Sequence, residues 1–173
     1  MLEFAEWLQA TSLSVAIQSA GWVIPLLQSI HILMIGVVFV SIMMIALRVL
    51  QRVRTDQAFT DVWSRFAPWM WTGLVIMTLT GLLLIVAEPV REFSSTSFWL
   101  KMLLLAIAVS SAVAFGRSLR FYAGAGGGEP QFTAGARSAA VATLVLWLAI
   151  IFLGRAIAYD VEVWGALSLA SGS

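Results

Sequence analysis

One histidine, His31, stands in the middle of a long apolar run, and it is the only histidine in the chain. The run extends from Trp22 to Val49 and is long enough to cross a bilayer as a helix, which needs about 20 apolar residues. An ionisable side chain inside such a segment is costly and by default marks a functional site. Because neutral imidazole binds metals and is a standard axial ligand of haem iron, His31 is the first candidate for a cofactor ligand.

Methionines supply the other candidate metal ligands. Met34 lies three residues after His31, on the same helix face, and Met77 lies in the middle of a second apolar segment. A thioether could complete the ligation of a haem, or could join His31 in a copper site, because thioethers suit Cu(I). The alternatives are a five-coordinate haem and a two-fold dimer that brings two copies of His31 to one iron. Methionines in apolar helices more often fill packing gaps.

The composition indicates a lipid bilayer as the main surroundings of this chain. Of its 173 residues, 61% are hydrophobic and 11% are charged, against about 25% charged in a soluble domain. The net charge of +1 favours no nucleic-acid partner. The absence of cysteine excludes disulfides, thiolate metal sites and cysteine nucleophiles.

Apolar segments of near-spanning length predict an all-α integral membrane four-helix bundle in a single domain, 1–173. A short amphipathic helix in 2–20, lying on the membrane surface, precedes the first span. The glycine run at 124–128 predicts a flexible hairpin, since it lacks the Lys-Ser/Thr of a phosphate-binding loop. The predicted spans are 22–49, 67–87, 98–119 and 139–159.

Arginines concentrate in the first and third connections between the spans. The positive-inside rule therefore places these two connections in the cytoplasm, and both termini and the second connection on the outward, periplasmic side of a bacterial inner membrane. We interpret the arginines of the first connection as topology signals and headgroup contacts.

The depth of each residue in the membrane can be estimated from the helical rise of about 1.5 Å per residue. This estimate places polar groups of all four spans in the outward half of the membrane. Such groups turn inward and pair with each other or with a ligand. The members of this outward polar cluster are Gln28, His31, Glu88, Lys101, Arg155 and Tyr159.

The outward polar cluster permits two interpretations. In the first, it is a cofactor pocket in which Lys101, Arg155 and Tyr159 hold an anionic edge, such as haem propionates or a quinone or lipid headgroup. In the second, it is structural. Arg155 then pairs with Glu88, and His31 bonds Gln28 or a backbone carbonyl. Both remain open at this stage.

Small residues recur every fourth position in the third span, at Ala108, Ala112 and Gly116. This spacing lets two helices approach closely, either within one chain or between copies of it. Cyclic homo-oligomers are plausible for such a chain, because four short spans enclose little space for a large cofactor.

Several segments resemble an uncharacterised family of bacterial four-helix membrane proteins. The segments are Ser29–Gly36, Leu47–Leu50, Thr80–Leu82, Phe98–Met102 and Trp147–Tyr159. The resemblance covers most of the chain and implies a topology rather than an activity. Four residues of the outward polar cluster match its pattern: His31, Lys101, Arg155 and Tyr159.

The chain is also similar to cytochrome b561-type and copper-resistance D-type four-helix proteins. Those proteins use several intramembrane histidines, so a two-haem arrangement cannot be transferred to a chain that has only His31. We expect a b-type haem electron-transfer protein with a quinone or a periplasmic redox partner. The alternatives are a copper-binding protein and a non-catalytic membrane anchor or assembly subunit.

Overall fold

The computed structural model describes residues 2–124 and 130–169, except for the side chains of 120–124. Four of its helices are long and apolar enough to cross a membrane: α3 (Val23–Val49), α4 (Phe59–Ala87), α6 (Thr96–Gly124) and α7 (Ala134–Ala156). The short helices are α1 (Leu2–Gln9), α2 (Ser12–Ser19), α5 (Pro89–Phe93) and α8 (Asp160–Trp164). No strand occurs in the described ranges, so the all-α membrane bundle is confirmed. Apart from Gly124, which ends α6, the predicted glycine hairpin lies outside the described residues.

The four long helices run alternately up and down and share one apolar core. Helix α3 packs on α4 and α7, and α6 packs on α7. The buried core residues come from all four helices: Val38, Ile42, Met70, Leu74, Met77, Ala108, Trp147 and Ile150. Two ends result. The termini end carries α1, α2, α5 and α8, and the arginine end carries the first and third connections.

Small residues bring the helices close together inside the protomer. A Cβ added at Gly73 of α4 would lie 2.7 Å from Cγ2 of Val38 on α3, so these two backbones approach closely. Ala108 is buried in the core, and a Cβ at Gly116 would lie 3.6 Å from the Trp63 ring. The small residues of α6 therefore make their close contacts with other parts of the same chain.

Helix α4 begins at Phe59, eight residues before the predicted start of the second span at 67. The prediction relied on hydropathy, which detects only the apolar part of a helix. The first two turns of α4 carry the exposed residues Asp61 and Arg65 and were therefore missed. Phe59 is fully buried and packs edge-to-face on Phe132 at 4.8 Å, which fixes this early start. The first connection is shorter than predicted as a result.

The amphipathic N-terminal segment forms two helices instead of one. Thr11 interrupts it, because its hydroxyl donates to the Leu8 carbonyl at 2.6 Å and accepts from the Ser14 amide at 3.4 Å as the N-cap of α2. Ala5 and Ser14 are fully buried, so both helices dock on the bundle. Helix α1 packs against α5, and α2 against α4.

Arg48 corrects our interpretation of the arginines in the first connection. Its side chain is only 4% exposed, and its Nε and Nη2 donate to the Gln57 carbonyl at 3.1 and 2.7 Å. The preceding helix ends there in a Schellman motif, with Arg52 N–H bonded to the Leu47 carbonyl at 2.9 Å and Gln51 at φ 57°. Arg48 thus holds the turn between α3 and α4 and is no headgroup contact.

Candidate functional site

His31 faces α4, where its Nδ1 lies 2.8 Å from the Thr80 hydroxyl oxygen. That hydroxyl donates its own proton within α4, to the Ile76 carbonyl at 2.8 Å. The same hydroxyl also lies 3.2 Å from the Met77 carbonyl oxygen. When its single proton is donated to one of these carbonyls, it accepts toward the imidazole, and neutral His31 then donates through Nδ1–H and carries its lone pair on Nε2.

Gly81 makes room for the imidazole beside Thr80. A Cβ at this position would lie 3.3 Å from the His31 Cε1 atom, which is tighter than ordinary contact. Thr80 itself is buried. Sequence reasoning missed Thr80 as the partner of His31, because a single threonine in an apolar segment gives no signal of its direction.

Gln28 does not join this arrangement. It shares the helix α3 with His31, but it lies exposed on the bundle surface, and the hydrogen bond of the imidazole goes to Thr80. The predicted pairing of these two side chains is therefore replaced by a bond between helices.

Both candidate methionines pack into the apolar core. Met77 is 7% exposed within the core cluster, and Met34 packs against that cluster. A haem plane between α3 and α4 would have to separate the close contacts at Gly73 and Gly81. The packing of these two helices thus disfavours Met77 as an axial ligand opposite His31.

Lys101 reaches from α6 across to α7. Its Nζ lies 3.8 Å from the position that a Cβ of Gly154 would occupy. Its charge acts on both His31 and Glu92. In the described ranges, however, no hydrogen bond or carboxylate contact within 4 Å is made by Lys101.

Arg155 and Tyr159 form a pair of their own at the end of α7. The Nη2 of Arg155 donates to the Tyr159 hydroxyl at 3.0 Å, and the guanidinium lies 4.9 Å from the centre of the ring. Both side chains are exposed. The predicted Arg155–Glu88 pair is wrong, since Glu88 forms its salt bridge with Arg91.

Glu92, on α5, is a buried carboxyl that sequence reasoning did not select. Burial raises the pKa of Glu92, and the positive charges of Arg91 and Lys101 oppose that rise. Its Oε1 lies 3.4 Å from Nη2 of Arg91. The charge of Lys101 thus acts on Glu92 on one side and on His31 on the other.

Asp160 is the second carboxylate that sequence reasoning missed. Its Oδ1 accepts hydrogen bonds from the Ser95 hydroxyl and the Ser97 amide, both at 2.8 Å. Its Oδ2 accepts from the Thr96 amide at 3.1 Å and the Ser168 hydroxyl at 2.6 Å. Asp160 thus caps the N-terminus of α6 from a distant part of the chain, where a negative charge is favoured. The run Ser94–Ser97 before an apolar helix was an available signal for such a cap.

Comparison with known proteins gave no match: no family model, no curated protein and no solved structure corresponds to this chain. Within the described ranges, no group of three or more His, Cys, Asp or Glu side chains could hold a metal ion. The choice of function therefore depends on the geometry around His31.

Proposed function

We propose that this chain is a multi-pass protein of the bacterial inner membrane that binds a b-type haem through His31 and transfers electrons. The observation that carries the proposal is the bond from Nδ1 to Thr80, which leaves Nε2 as the basic atom. Histidines that bind metals almost always donate their other ring N–H to a fixed acceptor, which sets tautomer and ring direction.

The orientation in the membrane is part of the proposal. Arginine-rich connections face the cytoplasm and the termini end faces outward. Four helices of spanning length support the membrane location. His31 then lies in the outward half, where a quinone or a periplasmic redox protein is a suitable partner.

His31 is the one side chain of this chain that would hold the haem iron in this proposal. His31 would bind the iron and Thr80 would orient the imidazole, and a bound haem would supply one-electron chemistry. Because α3 and α4 pack closely at Gly73 and Gly81, Met77 would stay in the apolar core and would not join His31 in holding the group.

A second candidate function is a non-catalytic anchor or assembly subunit. It is favoured because several polar side chains at the termini end bond one element to another. His31–Thr80 joins α3 to α4, and Gln18 Nε2 donates to the Ala87 carbonyl at 2.8 Å, joining α2 to α4. A copper site is less favoured, since Met77 belongs to the buried core.

The visible absorption spectrum of protein purified from haem-replete cells separates these functions. We expect a Soret band that shifts on reduction, is lost in His31→Ala and survives in the exposed control Gln28→Ala. A colourless, folded wild-type preparation would contradict haem binding and favour the anchor. Metal analysis of the same sample tests copper.

A further inference from the structure

Two cations at the termini end have no carboxylate in direct contact, although the charge of Glu92 acts on one of them, Lys101. Lys101 of α6 and Arg155 of α7 make no ion pair within 4 Å in the part of the chain that the structure describes. An intramembrane or interfacial cation needs an anion or water, since the loss of solvation is otherwise uncompensated. Of the three acidic residues nearest in sequence, Asp160 caps the α6 N-terminus and Glu92 contacts Arg91. The third, the exposed Glu162, forms no salt bridge with either cation among the described residues.

The two cations start from neighbouring positions. The ammonium of Lys101 lies over Gly154, the residue directly before Arg155. Lys101 is one turn inside the start of α6, and Arg155 is in the last turn of α7. Both charges therefore lie toward the termini end of the spanning helices.

The guanidinium of Arg155 is already oriented. It stacks on the Tyr159 ring and uses Nη2 to bond the hydroxyl, which leaves other N–H groups of its planar fork to donate. Such a fork matches the oxygens of a phosphate, and a neighbouring ammonium adds a second positive charge.

An exposed apolar stripe leads away from Arg155 along α7. Phe152, Leu148 and Val145 precede Arg155 at intervals of three or four residues, so they share its helix face, and all three are exposed. A ligand with a phosphate at one end and an acyl chain at the other would contact both the cation pair and this stripe.

We propose that Lys101 and Arg155 bind the phosphodiester of an anionic phospholipid, with its acyl chain along the stripe of α7. Of the anionic ligands expected from the sequence for these cations, this proposal selects the lipid headgroup over the haem propionates and the quinone, and it needs no haem at His31. Inorganic phosphate shares the headgroup chemistry but lacks the chain.

Thermal unfolding of the full chain in neutral detergent tests the proposal. Phosphatidylglycerol is titrated in, with phosphatidylcholine and inorganic phosphate as the other two arms. We expect phosphatidylglycerol to raise the melting temperature, and the other two additives to leave it nearly unchanged.

The variants locate the effect. Arg155→Gln should weaken the apparent affinity for phosphatidylglycerol about tenfold or more, because it removes charge-assisted hydrogen bonds. Lys101→Met should weaken it less. Arg137→Gln, which changes an exposed arginine at the opposite end, should respond like wild type. Equal responses of Arg155→Gln and wild type would overturn the site, and an equal shift with inorganic phosphate would overturn the lipid as its ligand.

Discussion

The Nδ1 of His31 and the hydroxyl oxygen of Thr80 share a hydrogen bond across the seam between α3 and α4, at 2.8 Å. When the Thr80 proton serves the Ile76 carbonyl, the imidazole is the donor of this bond and Nε2 keeps the lone pair. One bond therefore does two things. It ties two membrane helices together, and it fixes which nitrogen of the imidazole can bind a proton or a metal. The proposals of a haem ligand and of a helix-locking polar group both begin from this contact.

The glycines of the α3–α4 seam should differ in their tolerance of a methyl group. Gly73→Ala places Cβ 2.7 Å from Val38 Cγ2, so we expect a loss of about 1–3 kcal/mol in the free energy of unfolding from overpacking. Gly81→Ala meets His31 at 3.3 Å and should displace the imidazole by a few tenths of an ångström. Gly36→Ala is the control, since nothing lies within 4 Å of its Cβ. Unfolding in mixed micelles measures all three, and equal stability of Gly73→Ala and Gly36→Ala would refute the close approach.

The cap of α6 should depend on the charge of Asp160. Asp160→Asn keeps the shape but removes the negative charge and turns one of the two acceptors into a donor, which then faces the amide of either Thr96 or Ser97. We expect a loss of roughly 1.5–3 kcal/mol in the free energy of unfolding, the range for hydrogen bonds to charged groups. Glu162→Gln, an exposed change two residues away, should stay within about 0.5 kcal/mol of wild type. If both variants were equally stable, Asp160 would not be the cap.

Arg48 should be needed for stability rather than for membrane orientation alone. Arg48→Gln removes the two donors that a buried guanidinium gives to the Gln57 carbonyl, so we expect a loss of roughly 1.5–3 kcal/mol in the free energy of unfolding. Arg52→Gln removes the same charge from an exposed position four residues later and serves as the matched control. Equal unfolding curves for the two variants would contradict a stabilising role of the Arg48–Gln57 hydrogen bonds, because only the loss of positive charge would then affect stability.

Glu92 should make the bundle less stable as pH rises. Its pKa is raised by burial, so the folded chain holds this proton at pH values where the unfolded chain has lost it. The free energy of unfolding therefore falls as pH increases from the ordinary glutamate pKa, about 4.3, to the raised value. Arg91, Lys101 and Glu88 are the charges that act on it. Glu92→Gln should flatten this pH dependence and Glu162→Gln should not. An unchanged slope in Glu92→Gln would show that another group is responsible.

The four spans could be predicted from the sequence because hydropathy reports burial in lipid directly. The end of the first span at Val49 agrees with the structure, whereas the start of α4 at Phe59 does not, since a helix continues past its apolar part. The break at Thr11 also lacked a hydropathy signal, because it arises from one hydroxyl that competes for backbone groups.

The site could be predicted less well, because depth along a helix does not give direction around it. Depth placed Arg155 and Glu88 at similar heights, yet the guanidinium turns to Tyr159, four residues away on its own face. The i, i+4 relation of Arg155 and Tyr159 was predictable for that reason. The Asp160 cap joins residues more than 60 positions apart, a pairing that only the packing of α6 against α7 determines.

Nitrogen NMR of histidine-labelled protein tests the central claim most directly, because the chain has one histidine and every imidazole signal belongs to His31. The spectrum is recorded well above the ordinary imidazole pKa of about 6.5, where a neutral ring carries one proton. The geometry predicts that proton on Nδ1, and predicts that Thr80→Val weakens this preference. A spectrum with the proton on Nε2 in the wild-type protein would contradict the account, since the atom proposed to bind a ligand would then be blocked.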